Sequence, residues 1–340
     1  MGGRGVKPVP VFHDVDRARF EAEIVPAGRP AVLKGLVADW PIVKAAAISD
    51  EALAGYLGGF DNGRPVRTFV GAPEMGGRFG YSPDLKGFNH EQMMAPLAEL
   101  LRRLLAGRGD PRMPHVYAGG VPAPDVLPGM AEANPMPLLD SGMERLTSLW
   151  IGNRSRTAAH WDLPQNLACV VRGRRRFTLF PPEQIGNLYV GPLDFTLAGQ
   201  PISLVDVVDP DFEAHPKFRE ALDHAEVAEL EPGDALYLPS LWWHHVETPE
   251  DFGAMVNLWW RDGPAYMTTP LLTLFHGLTT IRDLPADERM RWRAFFDHYV
   301  FQTGDDPVAH IPVAARGVLA PMTHDLLGRI RALIGRSLQR

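Results

Sequence analysis

The sequence is poor in cysteine and has no long hydrophobic run. Cys169 is its only cysteine, so no disulfide can form within the chain, and its place in an apolar run, residues 167–171, predicts a small buried side chain. No stretch approaches the roughly 18 continuous apolar residues that a membrane helix needs. Residues 1–6 lack the apolar run of a secretory signal and the Ser or Thr of a myristoylation motif. These absences predict a cytoplasmic protein without a membrane partner.

A surplus of basic charge is also missing. The net charge is −7, which argues against a surface built for the phosphate backbone, so we expect no nucleic-acid partner. The one dense basic run, residues 172–176, is flanked by strand-like apolar residues and is therefore expected to form part of a sheet. Apolar residues make up 45% and charged residues 22% of the chain, as in an ordinary folded domain.

Glycine and proline are plentiful, with 33 and 32 residues, which favours many turns and short strands. We divide the chain into an N-terminal α/β extension at residues 1–110, a β core with the functional site at 111–262, and a helical region at 263–340. In the extension we predict a strand at 31–34 and helices at 50–57 and 91–105. The second helix follows from the apolar spacing of Met93, Leu97, Leu100, Leu101 and Leu104.

The residue pattern changes twice in the middle of the chain. Residues 111–137 are rich in proline and glycine and predict a long surface connection. Short strands separated by turn signals then follow at 146–152, 166–172, 175–180, 202–208, 234–238 and 254–260. Many short strands indicate a mainly β fold, a sandwich or a barrel.

Helices are predicted again after Pro264, at 271–278, 288–301 and 323–338. The last of these carries one broad apolar stripe. Such a terminal helix either packs back on the core or pairs with a second copy of the chain, giving a homodimer, and the sequence leaves both open.

His160 and Asp162 are the first candidates for chemistry. On extended backbone, side chains at i and i+2 point to the same side, so the two can share one metal ion. With 12 histidines and 41 acidic residues, about one such pair is expected by chance, and His224-Ala225-Glu226 is another. His160 lies between predicted strands, whereas His224 ends a polar segment. The alternative for His160 and Asp162 is a polar pair at a strand end.

A third ligand is available downstream. A tight turn at 231–234 leads into a strand, and Trp242-Trp243-His244-His245 follows. Two histidines and one carboxylate leave three positions of a ferrous ion open, as iron(II) oxygenases require, while a structural zinc site would close all four. The Trp242-Trp243 pair is expected to be core and not a stacking platform for bases.

An ordered set of motifs within residues 157–259 then suggests a family. The set comprises Thr157-Ala158-Ala159-His160-Trp161-Asp162, Gln165-Asn166-Leu167, the run from Arg172 to Pro182, Gly233-Asp234-Ala235-Leu236-Tyr237-Leu238-Pro239, Trp242-Trp243-His244-His245 and Val256-Asn257-Leu258-Trp259. It resembles the JmjC-related, cupin-like iron(II) and 2-oxoglutarate dioxygenases, in particular the asparaginyl hydroxylase that inhibits hypoxia-inducible factor. The resemblance implies a double-stranded β-helix, or jelly-roll, with the metal in its mouth.

The resemblance also assigns roles to residues. It implies that His244 and not His245 is the third metal ligand, since the ligand directly follows the tryptophans and His245 points to the other face. For 2-oxoglutarate it implies Arg175, which shares strand parity with Phe177 and Leu179 and stands where relatives have lysine. Four further residues are implied to complete the cofactor pocket and one its wall: Thr157, Tyr117, Asn166 and Asn257, and Trp259. For Thr157, Asn166 and Asn257 the alternative is hydrogen bonding at strand ends.

The implied activity is hydroxylation, with 2-oxoglutarate and dioxygen as co-substrates and iron(II) as cofactor. The substrate is expected to be a protein or peptide side chain or a small molecule. It stays open because Pro164 stands where the asparaginyl hydroxylase has a glutamine involved in substrate recognition. Two other classes remain: a metal-binding, cupin-like sensor without turnover, and an interaction module with a vestigial barrel.

Overall fold

The computed structural model describes residues 6–140 and 142–338. They belong to two compact units, of which the first ends at Gly263 and the second begins at Pro264. The expectation that the chain starts without a leader or lipid signal concerns mainly residues 1–5, which lie outside the described residues. Among the described helices, none is long and apolar enough to cross a membrane.

The first unit contains all the described strands, in two sheets. The strands are β1 (Lys7–Pro8), β2 (Val11–His13), β3 (Ala31–Lys34), β4 (Pro65–Gly71), β5 (Arg78–Phe79), β6 (Glu91–Pro96), β7 (His115–Pro122), β8 (Arg145–Gly152), β9 (Ser155–His160), β10 (Gln165–Arg172), β11 (Arg175–Phe180), β12 (Glu226–Leu230), β13 (Ala235–Leu238), β14 (Trp243–Thr248) and β15 (Gly253–Trp260). One sheet has the order β1-β12-β11-β14-β9-β5 and the other the order β2-β3-β13-β10-β15-β8-β7-β4-β6. The fold is thus mainly β, as predicted.

Helices extend both units. In the first they are α1 (Arg17–Arg19), α2 (Pro41–Ile48), α3 (Asp50–Gly58), α4 (Leu97–Ala106), α5 (Ala123–Val126), α6 (Met130–Ala133) and α7 (Phe218–Asp223). In the second they are α8 (Leu271–Thr280), α9 (Ala286–Phe296) and α10 (His324–Leu338). A π-helical turn, Phe20–Ile24, continues α1, and another, Asp297–Phe301, continues α9.

Alternation along β10 shows how the core is built. Leu167, Cys169 and Val171 face a cluster that includes α2, α3 and α4, whereas Ala168 and Val170 face a second cluster. That second cluster takes residues from both sheets, such as Phe177 and Leu236, so it lies between them. Because successive side chains of a strand point to opposite faces, one apolar run serves both clusters. Cys169 is fully buried, as expected, and burial raises the pKa of its thiol.

Several predicted elements are confirmed. Strands β3, β8, β10, β11, β13 and β15 and helices α3, α8, α9 and α10 lie where the sequence pattern placed them, within a few residues at each end. Trp242 and Trp243 are buried, as predicted for core residues. The basic run does contribute to a sheet, since Arg175 and Arg176 belong to β11.

The helix predicted at 91–105 is wrong in its first part. Residues Glu91–Pro96 form β6, which pairs with β4, and α4 begins only at Leu97. Pro96 explains the difference: it lacks the N–H of a helix interior and disfavours helical backbone at the residue before it, so a helix starts after it. Met93 is 46% exposed and is not core, whereas Leu97, Leu100, Leu101 and Leu104 are buried.

The surface connection predicted at 111–137 is also wrong. It contains β7, which pairs with both β4 and β8, and two short helices, and Val116, Ala118 and Val121 are buried. The register between β7 and β8 shifts between Ala118 and Val121, where Gly120 has a φ of +63°. The glycines therefore form an irregularity within a strand and do not end it.

The strand predicted at 202–208 is wrong as well. Only isolated bridges form there, at Ile202 and Ser203. The Asp206 carboxylate then accepts hydrogen bonds from the backbone N–H groups of Val208 and Asp209, at 3.0 and 3.4 Å. An aspartate that bonds its own following backbone favours a turn over a sheet ladder.

Gly152 is a packing requirement that can be tested. A Cβ atom at Gly152 would lie 2.4 Å from Cβ of Tyr117 and 2.6 Å from the carbonyl oxygen of Val116. We expect Gly152→Ala to lower the free energy of unfolding by about 1–3 kcal/mol, because overpacking forces the β7–β8 pair apart. Gly80→Ala, where nothing lies within 4 Å, is the matched control. Urea denaturation of both variants makes the comparison, and equal stabilities would contradict it.

Candidate active site

Strands β9 and β14 position the two candidate histidine ligands. His160 and His244 are direct partners across this antiparallel pair, and the register shifts between His244 and Val246, which pairs with Thr157. The bulge inserts one extra residue into β9, so that Thr157 and His160, an odd number of positions apart, both line the same cavity. Asp162 follows β9, and its carbonyl accepts a 2.9 Å hydrogen bond from the N–H of Leu241, ahead of β14.

The structure brings the three candidate ligands together. One ligand atom each of His160, Asp162 and His244 lies within 4.8 Å of the others. The Nε2 atom of His244 is 3.7 Å from Oδ2 of Asp162, and the two imidazole rings have centroids 4.1 Å apart. Two nitrogen donors and one carboxylate converging in this way suit a divalent transition metal such as iron(II).

Hydrogen bonds orient both imidazoles for metal binding. Nδ1 of His160 is 2.9 Å from the carbonyl oxygen of Ala158, and Nδ1 of His244 is 3.0 Å from that of Trp242. A carbonyl can only accept, so each Nδ1 carries the proton and each Nε2 presents its lone pair. Burial, with a smaller effect of His160, lowers the pKa of His244 to about 4. His244 is therefore neutral at neutral pH, as a metal ligand must be.

Neither of the alternative histidines joins this group. His245 pairs with Thr178 on the outer side of β11, whereas His244 pairs with Leu179, which packs between the sheets. The nearest carboxylate oxygen to its Nε2 is that of Glu247, at 3.9 Å. His224 is exposed at the end of α7, where its Nδ1 lies 3.0 Å from the carbonyl oxygen of Glu220.

His245 makes the stability of the metal-free protein pH-dependent. Burial lowers the pKa of His245 to about 4, so the unfolded chain binds protons between pH 6.5 and 4 that the folded chain does not. The free energy of unfolding should therefore fall as the pH drops through this window, by about 1.4 kcal/mol per pH unit for each such histidine. His244 and His90, whose pKa values burial also lowers to about 4, act in the same direction.

Urea denaturation between pH 7 and 4 measures this slope. We expect His245→Leu to reduce the slope by the contribution of about one proton. Identical slopes in wild type and His245→Leu would contradict this assignment.

Arg175 is a buried cation that forms no ion pair with a carboxylate among the described residues, although the charge of Glu250 acts on it. It is 4% exposed, and in the described part of the chain its one hydrogen bond is donated to the carbonyl of Arg174, at 3.2 Å. Burial lowers the pKa of Arg175 to about 10, which leaves it charged at neutral pH. A Cβ at Gly253 would lie 2.7 Å from its Nη1, so this glycine makes room for the guanidinium. A carboxylate from outside would supply the missing partner.

The other predicted cofactor residues line the same cavity. Thr157, Tyr117, Asn166, Asn257 and Trp259 all border a chamber of about 50 Å³ together with Arg175 and the three candidate ligands. The Nδ2 of Asn257 donates to Oδ1 of Asn166 at 2.8 Å, whereas Oδ1 of Asn257 and Nε1 of Trp259 have no partner among the described residues. Orphaned buried polar atoms are the expected mark of a polar ligand site.

A larger cavity of about 470 Å³ adjoins this chamber. The two share Tyr117, Trp150, Thr157, His160, Asp162 and Trp259. Strand β4 contributes Val66, Arg67 and Phe69, and β6 contributes Met94. Sequence reasoning missed these residues because β4 and β6 lie far from the motifs and were not predicted as strands.

Comparison of the sequence with known proteins finds similar proteins in several organisms. The chain is 29% identical to tRNA wybutosine-synthesizing protein 5 of Danio rerio over 319 residues, covering 83% of this chain and 88% of that protein. It is 37% identical to HSPB1-associated protein 1 of Homo sapiens over 115 residues, 33% of this chain. Over 125 residues it is 30% identical to lysine-specific demethylase JMJ31 of Arabidopsis thaliana.

Coverage of the relatives is uneven. The match spans 23% of the human protein and 22% of the Arabidopsis protein. Residues 17–266, more than half of the chain, match the family described as cupin-like domain. This match fits the two mixed sheets and the His160, Asp162 and His244 cluster between them, and the chain therefore belongs to the cupin-like, JmjC-type family.

Proposed function

We propose that the protein is an iron(II)- and 2-oxoglutarate-dependent dioxygenase that hydroxylates its substrate. The observation that carries the proposal is the convergence of His160, Asp162 and His244 within 4.8 Å beside Arg175, which forms no ion pair with the described residues. A closed structural metal site would need a fourth protein ligand, and within the described residues the cluster has three. The open positions are the places for co-substrates.

Each residue has a task in this proposal. His160, Asp162 and His244 bind iron(II), with the two imidazoles fixed by the carbonyls of Ala158 and Trp242. Arg175 binds the distal carboxylate of 2-oxoglutarate through parallel hydrogen bonds. Bound iron with 2-oxoglutarate and dioxygen supplies an oxidation in which decarboxylation to succinate is coupled to oxygen insertion into a C–H bond.

The remaining pocket residues position and shield the co-substrate. Thr157 and Tyr117 donate hydroxyl hydrogen bonds to it. Asn166 and Asn257 hold each other and leave Oδ1 of Asn257 to accept from a bound group. Trp259 forms a wall that excludes water. Burial raises the pKa of Tyr117, so its phenol stays protonated and able to donate.

The substrate is proposed to be a peptide side chain or a small molecule. The names of the relatives refer to tRNA and to lysine, whereas the net charge of −7 led us to expect no nucleic acid. Both are therefore included as comparison substrates. We place the activity in the cytoplasm, following the expectation from the single cysteine and the lack of long apolar runs.

Heavy dioxygen tests the reaction. The iron-loaded protein is incubated with 2-oxoglutarate, labelled dioxygen and pools of lysate peptides, metabolites or tRNA. We expect one labelled atom in succinate and the other in a product with a mass increase of one oxygen. No succinate above a protein-free control, in any pool, would contradict the proposal.

We further propose that residues 263–340 form a homodimer. In residues 264–338 few apolar side chains are buried, namely Pro307, Val308 and Leu326, whereas Trp292, Phe295 and Phe301 are 44%, 56% and 66% exposed. A second copy would cover such a surface by a symmetric contact.

Light scattering measures the oligomeric state. We expect a mass of twice 37.6 kDa for the wild type and a monomer for the double variant Phe295→Glu and Phe301→Glu. Ile48→Glu, at an apolar residue of the first unit that is 79% exposed, is the matched control and should stay dimeric. A monomeric wild type at micromolar concentration would contradict the dimer.

A further inference from the structure

The cavity of about 470 Å³ carries information about the substrate. It shares His160 and Asp162 with the smaller chamber, so a molecule held in it lies against the proposed metal site. Its volume falls in the usual range of small-molecule sites, ~300–1,000 Å³. This location makes it the substrate pocket if the proposed oxygenase function holds.

Most of the cavity wall is apolar or aromatic. Strand β4 supplies Phe69, β5 supplies Phe79 and β8 supplies Trp150. The ring of Phe69 stacks on that of Tyr117 with centroids 4.7 Å apart, and Tyr117 lies parallel to Trp150 at 6.4 Å. Such a wall favours an apolar or aromatic body in the substrate.

One arginine stands in this apolar lining. Arg67 shares strand parity with Phe69, and its partner across the β4–β6 pair is Met94, which also lines the cavity. The side chain of Arg67 is exposed and makes no hydrogen bond or ion pair with any residue in the described part of the chain. Among the described residues that line the cavity, Asp162, the proposed metal ligand, is the only one with a carboxylate.

We propose that the substrate is a small apolar anion whose carboxylate or phosphate binds Arg67 while its apolar body reaches towards His160 and Asp162. The proposal rests on the proposed function, because it treats this cavity as the substrate pocket. A cationic substrate such as a methylated amine would find aromatic faces but no free carboxylate, and it would meet the like charge of Arg67.

Three matched probes test the charge preference: phenylbutyrate, its neutral amide, and the trimethylammonium compound with the same phenylalkyl chain. Calorimetry on protein loaded with redox-inert zinc(II) and 2-oxoglutarate measures their affinities without turnover. For the wild type we expect phenylbutyrate to bind roughly ten-fold tighter than the amide, because its carboxylate forms one partly exposed, charge-assisted hydrogen bond with Arg67. The cation should bind weakest. Phenylbutyl phosphate distinguishes the two anions: tighter binding than phenylbutyrate assigns a phosphate, and weaker binding a carboxylate.

Variants locate the preference. Arg67→Gln should remove the difference between phenylbutyrate and its amide, Arg67→Lys should restore part of it, and Arg64→Gln should leave it unchanged. Arg64 is the matched control because it is exposed nearby but does not line the cavity. Equal affinities for acid and amide in the wild type, tighter binding of the cation, or no binding of any probe would overturn the inference. Zinc and 2-oxoglutarate binding, titrated first, show separately whether the proposed function has failed.

Discussion

Asp162→Ala should abolish succinate formation and lower the affinity for iron(II) by at least ~100-fold. Removing a residue that only hydrogen-bonds a metal ligand already lowers metal affinity by up to ~100-fold, so removing a ligand should cost at least as much. The carboxylate lies 3.7 Å from Nε2 of His244 and provides the only oxygen ligand of the proposed site. Its removal leaves two imidazole ligands and no anionic ligand, so one coordinate bond and the charge that balances the divalent ion are both lost. Anaerobic iron titration and succinate assays make the two measurements.

His224→Ala is the matched control for this variant. His224 belongs to another His-x-acid pair of the sequence, is exposed, and lies outside the metal-binding cluster. Iron affinity and turnover should stay at the wild-type level. If Asp162→Ala retained both, the metal site assigned here would be wrong.

Arg175→Ala should raise the Kd for 2-oxoglutarate by at least ~100-fold, since two charge-assisted hydrogen bonds of about 1.5–3 kcal/mol each are lost. The guanidinium is buried, charged and without a carboxylate partner in the described chain, so it is available to the co-substrate. Arg175→Lys keeps the charge and should recover part of the affinity, because a lysine makes a single point contact.

Arg176→Ala separates this effect from a general loss of positive charge. Arg176 is the next residue of β11 but points outward, where it pairs with Glu229 at 2.7 Å. Its removal should leave the Kd for 2-oxoglutarate unchanged. An unchanged Kd in Arg175→Ala, measured by calorimetry on the iron-loaded protein without oxygen, would show that another group binds the carboxylate.

Strand β11, which carries Arg175, was predictable because its signal is local, whereas β9 and β14, which carry His160 and His244, were not among the predicted strands. The parity of Arg175, Phe177 and Leu179 follows from the period of two, and all three are buried. The relation of His160 to Asp162 is equally local. That His244 would join them required a family resemblance, because no local pattern connects residues so far apart in the chain.

The rest of the cavity depends on long-range pairing. Strand β6 was mistaken for part of a helix because the apolar residues at 93–104 have a spacing that also suits a helix. Pro96 is the one local signal of where the helix begins. Without β6 and β4, sequence reasoning had no reason to bring Arg67 near His160. The bulge in β9, which turns Thr157 towards the cavity, likewise depends on how β9 pairs with β14. No glycine at this place in β9 indicates a bulge in the sequence.

Calorimetric titration of 2-oxoglutarate under anaerobic conditions tests the central claim most directly. If His160, Asp162 and His244 hold iron and Arg175 completes the co-substrate pocket, 2-oxoglutarate binds the iron-loaded wild type with one molecule per chain. It then binds much more weakly to the metal-free wild type and to Asp162→Ala mixed with iron. Equal affinity in all three samples would contradict the account.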